Sequence, residues 1–240
     1  MWKNQRVSII FPTYNEKESI FRAIIDFSLD VVDEIIVINN NASAGTDEEV
    51  KKTNALLFHE KEQGLGAAIQ RGFNEATGDI LIIAEPDGTF KGQDVYKLLS
   101  YSDDFDVVFG SRTCRILIWD NANMGNFLRW GNFAIAKMVE IMFNTTTLTD
   151  VGCTMRLIKK SALDIISSQF TVKKNHFNPE MLILTILNKL KFIEIPLNYL
   201  PRTGISSVTG NYFVAFGLGI QMISMILGYW TKNIFKKKNN

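Results

Sequence analysis

The chain has 240 residues, with 26 Lys and Arg against 25 Asp and Glu for a formal net charge of +1, and 46% of its residues are hydrophobic. That length is enough for one domain with a sizeable core, and the balanced charge argues against a nucleic-acid partner or any general anion-attracting field, so an anion site has to be local. Cys114 and Cys153 stand far apart with no partners at metal-ligand spacing, which argues against a zinc site or a disulfide framework and fits a reducing, cytoplasmic setting.

The opening MWKNQRVSIIF holds only a short apolar run before Pro12, so neither a signal peptide nor an N-terminal span is expected. VSIIF reads as a buried strand. Asn15 with Glu18 three residues on has the form of a capping box and predicts a helix start, after which Ile20, Ile24 and Phe27 share one face. EIIVI is a second strand, and Thr46 with Glu49 repeats the capping pattern. ALLFH is a third strand, residues 65–76 read as a helix interrupted by glycines, DILIIA is a fourth strand and FDVVFGSR a further one. Strands without polar alternation, separated by helices, predict an α/β fold with a mostly parallel, Rossmann-like sheet covered on both faces. Ligands of such sheets bind beyond the carboxyl ends of the strands. Glu85 and Asp87, in IIAEPDGTF, fall at such an end, and Arg112 occupies the same kind of position. Taken alone, Pro86, Asp87 and Gly88 equally suit an ordinary solvated turn.

No P-loop motif is present. GLGAAI at residues 64–69 follows a strand and opens a helix, with Glu85 about twenty residues further on as a dinucleotide fingerprint expects, which leaves a nicotinamide enzyme open. Against it, Ile69 replaces the third glycine, and the motif lies on the third strand-helix unit instead of the first.

Residues 203–231 carry no charge, and the mostly apolar run 212–230 precedes a basic cluster of Lys232, Lys236, Lys237 and Lys238. The run barely reaches the roughly 20 residues needed to span a bilayer, and a single span would carry the lysines to the far side, against the positive-inside tendency. The favoured reading is a helix lying in or dipping into the membrane interface, with its lysines against anionic lipid. A buried C-terminal helix of a soluble domain also fits this length. Gly217, Gln221, Ser224 and Gly228 form one small or polar stripe that permits packing on another helix, including a homodimer. The chain therefore divides into a catalytic domain over 1–210 and a membrane-associated segment over 211–240.

FPTYNE, NNNASAGT, QGLGAAIQRGFNEATGDI and EPDGTF, in this order and spacing, resemble the family 2 glycosyltransferases of the GT-A fold. VVFGSR, LTDVGCTMRLI, HFNPEMLILTI and EIPLNYLPRTGISSVTG extend the similarity over about residues 6–210, toward the branch that holds dolichyl-phosphate mannose synthase and polyprenyl-phosphate glycosyltransferases. The resemblance implies that Glu85 and Asp87, with Thr89, hold Mg²⁺ or Mn²⁺ against the diphosphate of a GDP- or UDP-sugar, and hard oxygen ligands suit such ions. It places Pro12, Tyr14, Glu16, Ile38, Asn39 and Asn40 near base and ribose, with Gly64, Gly66 and Pro86 also around the nucleotide. Many relatives carry aspartates where this chain has Asn39 and Asn40, and an amide both donates and accepts, so the donor base stays open; three asparagines satisfying a turn is the simpler account.

Arg112, Arg129 and Arg202 are the expected phosphate ligands, because a guanidinium grips phosphate with two hydrogen bonds and stays charged. Residues 129–143 could guide a lipid tail or form an ordinary core helix. The implied reaction is inverting attack on the donor sugar. A lipid phosphate acceptor needs no general base, whereas a hydroxyl acceptor in cell-surface polysaccharide synthesis needs a carboxylate, for which Asp150 is the candidate. A noncatalytic nucleotide-sugar binding module remains a further alternative. His59 and His176 are read as structural.

Overall fold

The computed structural model describes residues 1–122, 124–204 and 212–238, so the end of the last motif, GISSVTG beyond Gly204, lies outside the described residues. The Ile- and Val-rich runs form β1 (Val7–Thr13), β2 (Glu34–Asn39), β3 (Leu56–His59), β4 (Ile80–Ile83), β5 (Val107–Ser111), β6 (Arg156–Lys159) and β7 (Phe192–Pro196). They make one seven-stranded sheet in the order β3-β2-β1-β4-β6-β5-β7. β6 runs antiparallel to both of its neighbours, and the other pairings are parallel.

The helices are α1 (Ile20–Phe27), α2 (Thr46–Lys51), α3 (Leu65–Glu75), α4 (Asp94–Ser100), α5 (Asn126–Phe143), α6 (Lys160–Ile166), α7 (Phe177–Leu187) and α8 (Tyr212–Lys238). Because strand side chains alternate faces, Ile9 and Phe11 of β1 pack with Ile24 and Phe27 of α1 and Leu98 of α4. Ile10 points the other way, toward Ile69 and Phe73 of α3. All seven residues of β1 are buried, as a sheet covered on both sides requires. Each fully buried Ile or Phe contributes about 1.5–3 kcal/mol, which ties the central strands to both helical layers.

Two helix starts differ from expectation. α1 begins at Ile20 behind Ser19 with no side-chain cap; the turn before it is instead organised by Glu16, whose Oε2 accepts from the amides of Tyr14 and Asn15 at 2.7 and 2.9 Å. α2 begins behind Gly45, and the Thr46 hydroxyl donates to the Ser43 carbonyl at 2.7 Å in place of capping.

α8 docks on the body by one face only. Met222 and Ile226 are buried, Ile226 within the second core with Met225 and Tyr229 packed against it, and the Tyr229 hydroxyl donates to Glu180 Oε1 of α7 at 2.8 Å. Burial, followed by this bond to a carboxylate, pushes Tyr229 up to about 12. Phe216, Ile220, Leu227 and Phe235 are exposed. Gln221, Ser224 and Gly228 of the small-residue stripe are exposed as well. Residues Phe213–Phe235 are long and apolar enough to cross a membrane by length and composition. A helix buried all round is thus not what forms, since these side chains stand exposed.

Candidate active site

Parallel pairing puts the carboxyl ends of β1, β2, β4 and β5 on one edge, which brings the segments after Thr13, Asn39, Ile83 and Ser111 together. Since β6 runs the opposite way, the segment that precedes it, 150–155, reaches the same edge. The loop after β7 then crosses this edge, with the amides of Leu200 and Thr203 donating to the carbonyls of Thr89 and Asp87 at 2.9 and 2.8 Å.

That crossing lays Arg202 over three carboxylates. Its guanidinium nitrogens lie 2.7 Å from Glu16 Oε1, 2.7 Å from Asp87 Oδ2 and 3.6 Å from Glu85 Oε2. Asp87 is fully buried, and its Oδ1 accepts from the amide and hydroxyl of Thr89 at 2.9 and 2.6 Å. Glu85 Oε1 accepts from the Thr154 hydroxyl at 2.5 Å. Arg112 meets Asp150 in a two-pronged pair, Nε to Oδ2 at 2.8 Å and a terminal nitrogen to Oδ1 at 3.0 Å. The Arg112 and Gly152 amides fill out the Asp150 carboxylate at 3.0 Å each, and Glu194 of β7 holds the amides of Thr149 and Asp150 from behind.

Burial raises Glu85 to about 7, reinforced by the negative charge of Asp87. Burial alone would also raise Asp150, but Arg112's charge and hydrogen bonds together hold it below the ordinary carboxylate value. The two acids thus differ in kind: Asp150 already has its cation, whereas Glu85 and Asp87 share one arginine with Glu16.

A divalent cation fits the Glu85 and Asp87 pair. Asp87 Oδ2 is buried with no aligned hydrogen-bond donor although Arg202 lies beside it, and an anionic oxygen in that state suits a hard cation. Among the described residues no three His, Cys, Asp or Glu side chains converge as a metal cage, so the remaining ligands would come from a bound diphosphate.

A cavity of about 830 Å³ opens over this edge. Its polar floor carries Pro12, Tyr14, Glu16, Asn40, Gly64, Glu85, Pro86, Arg112 and Arg202, all named from sequence. Its apolar walls come from Leu128 and Ile135 of α5 and from Phe216, Ile220 and Ile223 of α8.

The structure places several named residues elsewhere. Ile38 is a wholly buried core residue. Asn39 turns away to donate to Asp47 at 2.5 Å and to accept from the Ala42 amide at 2.7 Å, so it shapes a turn. Gly66 is required by packing, since a Cβ there would sit 2.6 Å from the Val172 carbonyl oxygen. Gly64 faces the cavity but is also fixed by packing, since a Cβ there would sit 2.1 Å from the Lys173 carbonyl oxygen. Thr89 orients Asp87 from below and does not line the cavity. Arg129 borders a separate pocket on the other side of α5 and stacks on Trp130, with its guanidinium carbon 5.8 Å from the ring centroid. Asp150 has both oxygens occupied and a side chain with 0% exposure, which leaves it no free lone pair toward an acceptor; it anchors Arg112.

Residues 8–166 match the Glycosyl transferase family 2. The chain belongs to that family. A UDP-N-acetylglucosamine–dolichyl-phosphate N-acetylglucosaminyltransferase of Methanococcus voltae is 24% identical over 92% of this chain and 96% of its own length. A dolichol-phosphate mannosyltransferase of Pyrococcus furiosus is 31% identical over 45% of this chain and 33% of its own. Among solved structures, glucosyl-3-phosphoglycerate synthase of Mycobacterium tuberculosis, in complex with Mn²⁺, UDP-glucose and glycerol 3-phosphate, superposes with a TM-score of 0.74 at 16% identity, over 95% of this chain and 81% of that one. The structural likeness agrees with the GT-A fold, and membership of family 2 sets the nicotinamide alternative aside.

Three residues of this glycosyltransferase site were not singled out from sequence. Thr154 and Asn178 line the cavity. Arg156 is 2% exposed and donates to the carbonyls of Asn178, at 2.9 Å, and Cys153. Burial without a carboxylate partner lowers Arg156 to about 10. LTDVGCTMRLI contains Thr154 and Arg156 and HFNPEM contains Asn178, yet a buried arginine whose hydrogen bonds go to main-chain oxygens leaves no mark in a sequence pattern.

Proposed function

We propose that this glycosyltransferase moves a sugar, with inversion, from a nucleotide-sugar to a lipid phosphate at the cytoplasmic face of a membrane. The observation that carries this reading is the cavity itself, which joins a floor of carboxylates and arginines to apolar walls on α5 and α8. A nucleoside diphosphate and a phosphate headgroup suit the floor, and an isoprenoid tail suits the walls. The relatives named for dolichyl phosphate support the same acceptor class.

Glu85 and Asp87 would hold Mg²⁺ or Mn²⁺, which offsets the charge that develops on the departing diphosphate. Arg112, held rigid by Asp150, is aimed at phosphate. Arg202 bridges the carboxylates in the described state and is free to turn to a phosphate oxygen once another cation neutralises them. A phosphate acceptor arrives already ionised, so alignment of two mutually repelling anions by fixed cations is the main task. The occupied state of Asp150 agrees with a reaction that needs no base. The exposed apolar face of α8 and the lysines that follow it support a position at the membrane interface.

The test is a transfer assay with purified protein, MnCl₂ or MgCl₂, labelled GDP- and UDP-sugars and polyprenyl phosphate, with label counted in the organic phase. Metal-dependent label that Asp87→Ala abolishes is the expected result and names the donor. Binding of a donor with no label in lipid, but label on a sugar hydroxyl acceptor, would overturn it.

A further inference from the structure

We propose that Asn178 reads the transferred sugar, its side-chain carbonyl accepting a hydrogen bond from an O–H or N–H group of the sugar in the nucleotide-sugar; this rests on the donor reading above. Asn178 lies in the first turn of α7 and is 2% exposed, with its main-chain carbonyl held by Arg156 at 2.9 Å. Its amide nitrogen approaches the Gly152 carbonyl at 3.2 Å and the Thr154 hydroxyl oxygen at 3.0 Å.

The orientation of the amide follows from the donors and acceptors around it. The Thr154 hydroxyl donates to Glu85 Oε1 at 2.5 Å, so it presents a lone pair to Asn178. The Gly152 carbonyl can only accept. Both neighbours therefore require the NH₂ group, and the carbonyl oxygen Oδ1 is turned away from them. That oxygen is buried with no partner in the protein, on a side chain that lines the cavity. An unpaired buried acceptor favours any ligand that brings a donor to it.

Position selects the part of the ligand. Asn178 is joined through Thr154 to Glu85, which puts it beside the expected diphosphate. Its hydrogen-bond partner Gly152 adjoins Arg112, since a Cβ there would lie 3.1 Å from a guanidinium nitrogen, so Asn178 stands close to the arginine expected to meet the acceptor phosphate as well as to Glu85. The group between a donor diphosphate and an acceptor phosphate is the sugar in transit. A site built to pair a polar group rejects analogues that lack the partner far more strongly than an apolar pocket does.

The experiment measures, by calorimetry on the full chain with Mn²⁺, the affinity of the nucleotide-sugar that the transfer assay identifies and of the matching nucleoside diphosphate. Asn178→Ala is expected to weaken the nucleotide-sugar about tenfold and the diphosphate less than about twofold. A series of deoxyfluoro sugars, which cannot donate, should show one position whose loss weakens binding to the wild-type chain but not further to the variant. Asn178→Ser keeps a donor for the Gly152 carbonyl and carries the same comparison if the alanine variant does not fold. Equal weakening of both ligands, additive losses, or no sensitive position on the wild-type chain overturns the role of Asn178 while the donor reading stands. If the wild-type chain binds no nucleotide-sugar, the donor reading fails and this inference with it.

Discussion

Arg202 sets one positive charge among Glu16, Glu85 and Asp87, and the shortfall is felt at Glu85, pushed up to about 7 by burial and by Asp87. A carboxyl raised in the folded state is easily kept protonated there. Its contribution favours folding in acid, and this advantage is lost as pH rises from the unfolded value through about 7. A divalent cation competes with that proton, so MnCl₂ is expected to raise the melting temperature more at about pH 8 than at about pH 5.5. Melts at both pH values check this, and Glu85→Gln should flatten the difference; equal shifts in the wild type would put the cation elsewhere. Asp150 has the opposite sign. Held below its ordinary value, it contributes stability above the unfolded carboxylate pKa that is lost as pH falls through the folded one. Asp150→Asn breaks a buried pair, with an expected cost of about 3–5 kcal/mol and a fall in Tm of roughly 10 °C. A general base would instead lose turnover at unchanged stability, so calorimetric melts beside kcat separate the two roles.

At the scale of elements, α8 is fastened to α7 by one polar bond within an apolar seam. Glu180 is wholly buried and accepts from Thr171 and Val172 as well as Tyr229, while Met181 and Leu182 of α7 share the second core with Ile226 of α8. Tyr229→Phe removes a hydrogen bond to a carboxylate, worth about 1.5–3 kcal/mol. Hydrogen exchange over 222–229 should accelerate by about tenfold or more while β1 and β4 stay protected. The longer apolar runs were legible because each has the period of its element: β4 and α3 end within a residue of the reading, and β1 runs two residues beyond it. The helix starts were not, since Asn15 and Thr46 make capping patterns by spacing alone. In the folded chain Glu16 claims the amides near Asn15, and Gly45 takes the cap position before Thr46. α4, α6, α7, β6 and β7 are absent from the sequence reading, because short elements with no cap signal or clear period leave little local mark.

For the molecule as a whole, α8 supplies both part of the apolar wall of the cavity and an exposed apolar face, which in the proposed function would link lipid access to membrane contact. The chain is expected to sediment with vesicles rich in anionic lipid and to be partly released by salt. Replacing Phe216 and Ile220 together by Asp should weaken vesicle binding about a hundredfold and abolish lipid-linked product, with donor affinity unchanged. Sedimentation and calorimetry on the same preparation check both halves, and donor affinity that falls with vesicle binding would mean that α8 supports the donor site directly.

The sequence by itself determined that the chain is α/β, that its central strands are buried on both faces, and that acids and an arginine stand at strand ends, because these features depend on local periodicity and on the position of a residue relative to its own strand. It also carried the ordered motifs of family 2. Only the tertiary structure decided which of those residues share the cavity. The reversal of β6 brings Thr154 to Glu85, the loop after β7 lays Arg202 across Asp87, and α7 presents Asn178 to Thr154. Ile38, Gly66, Arg129 and Asp150 turn to core, packing, a second pocket and an ion pair in the same way. Side-chain direction at a strand or helix end is set by whichever distant segment supplies the better buried partner, and that competition is resolved only when the segments meet.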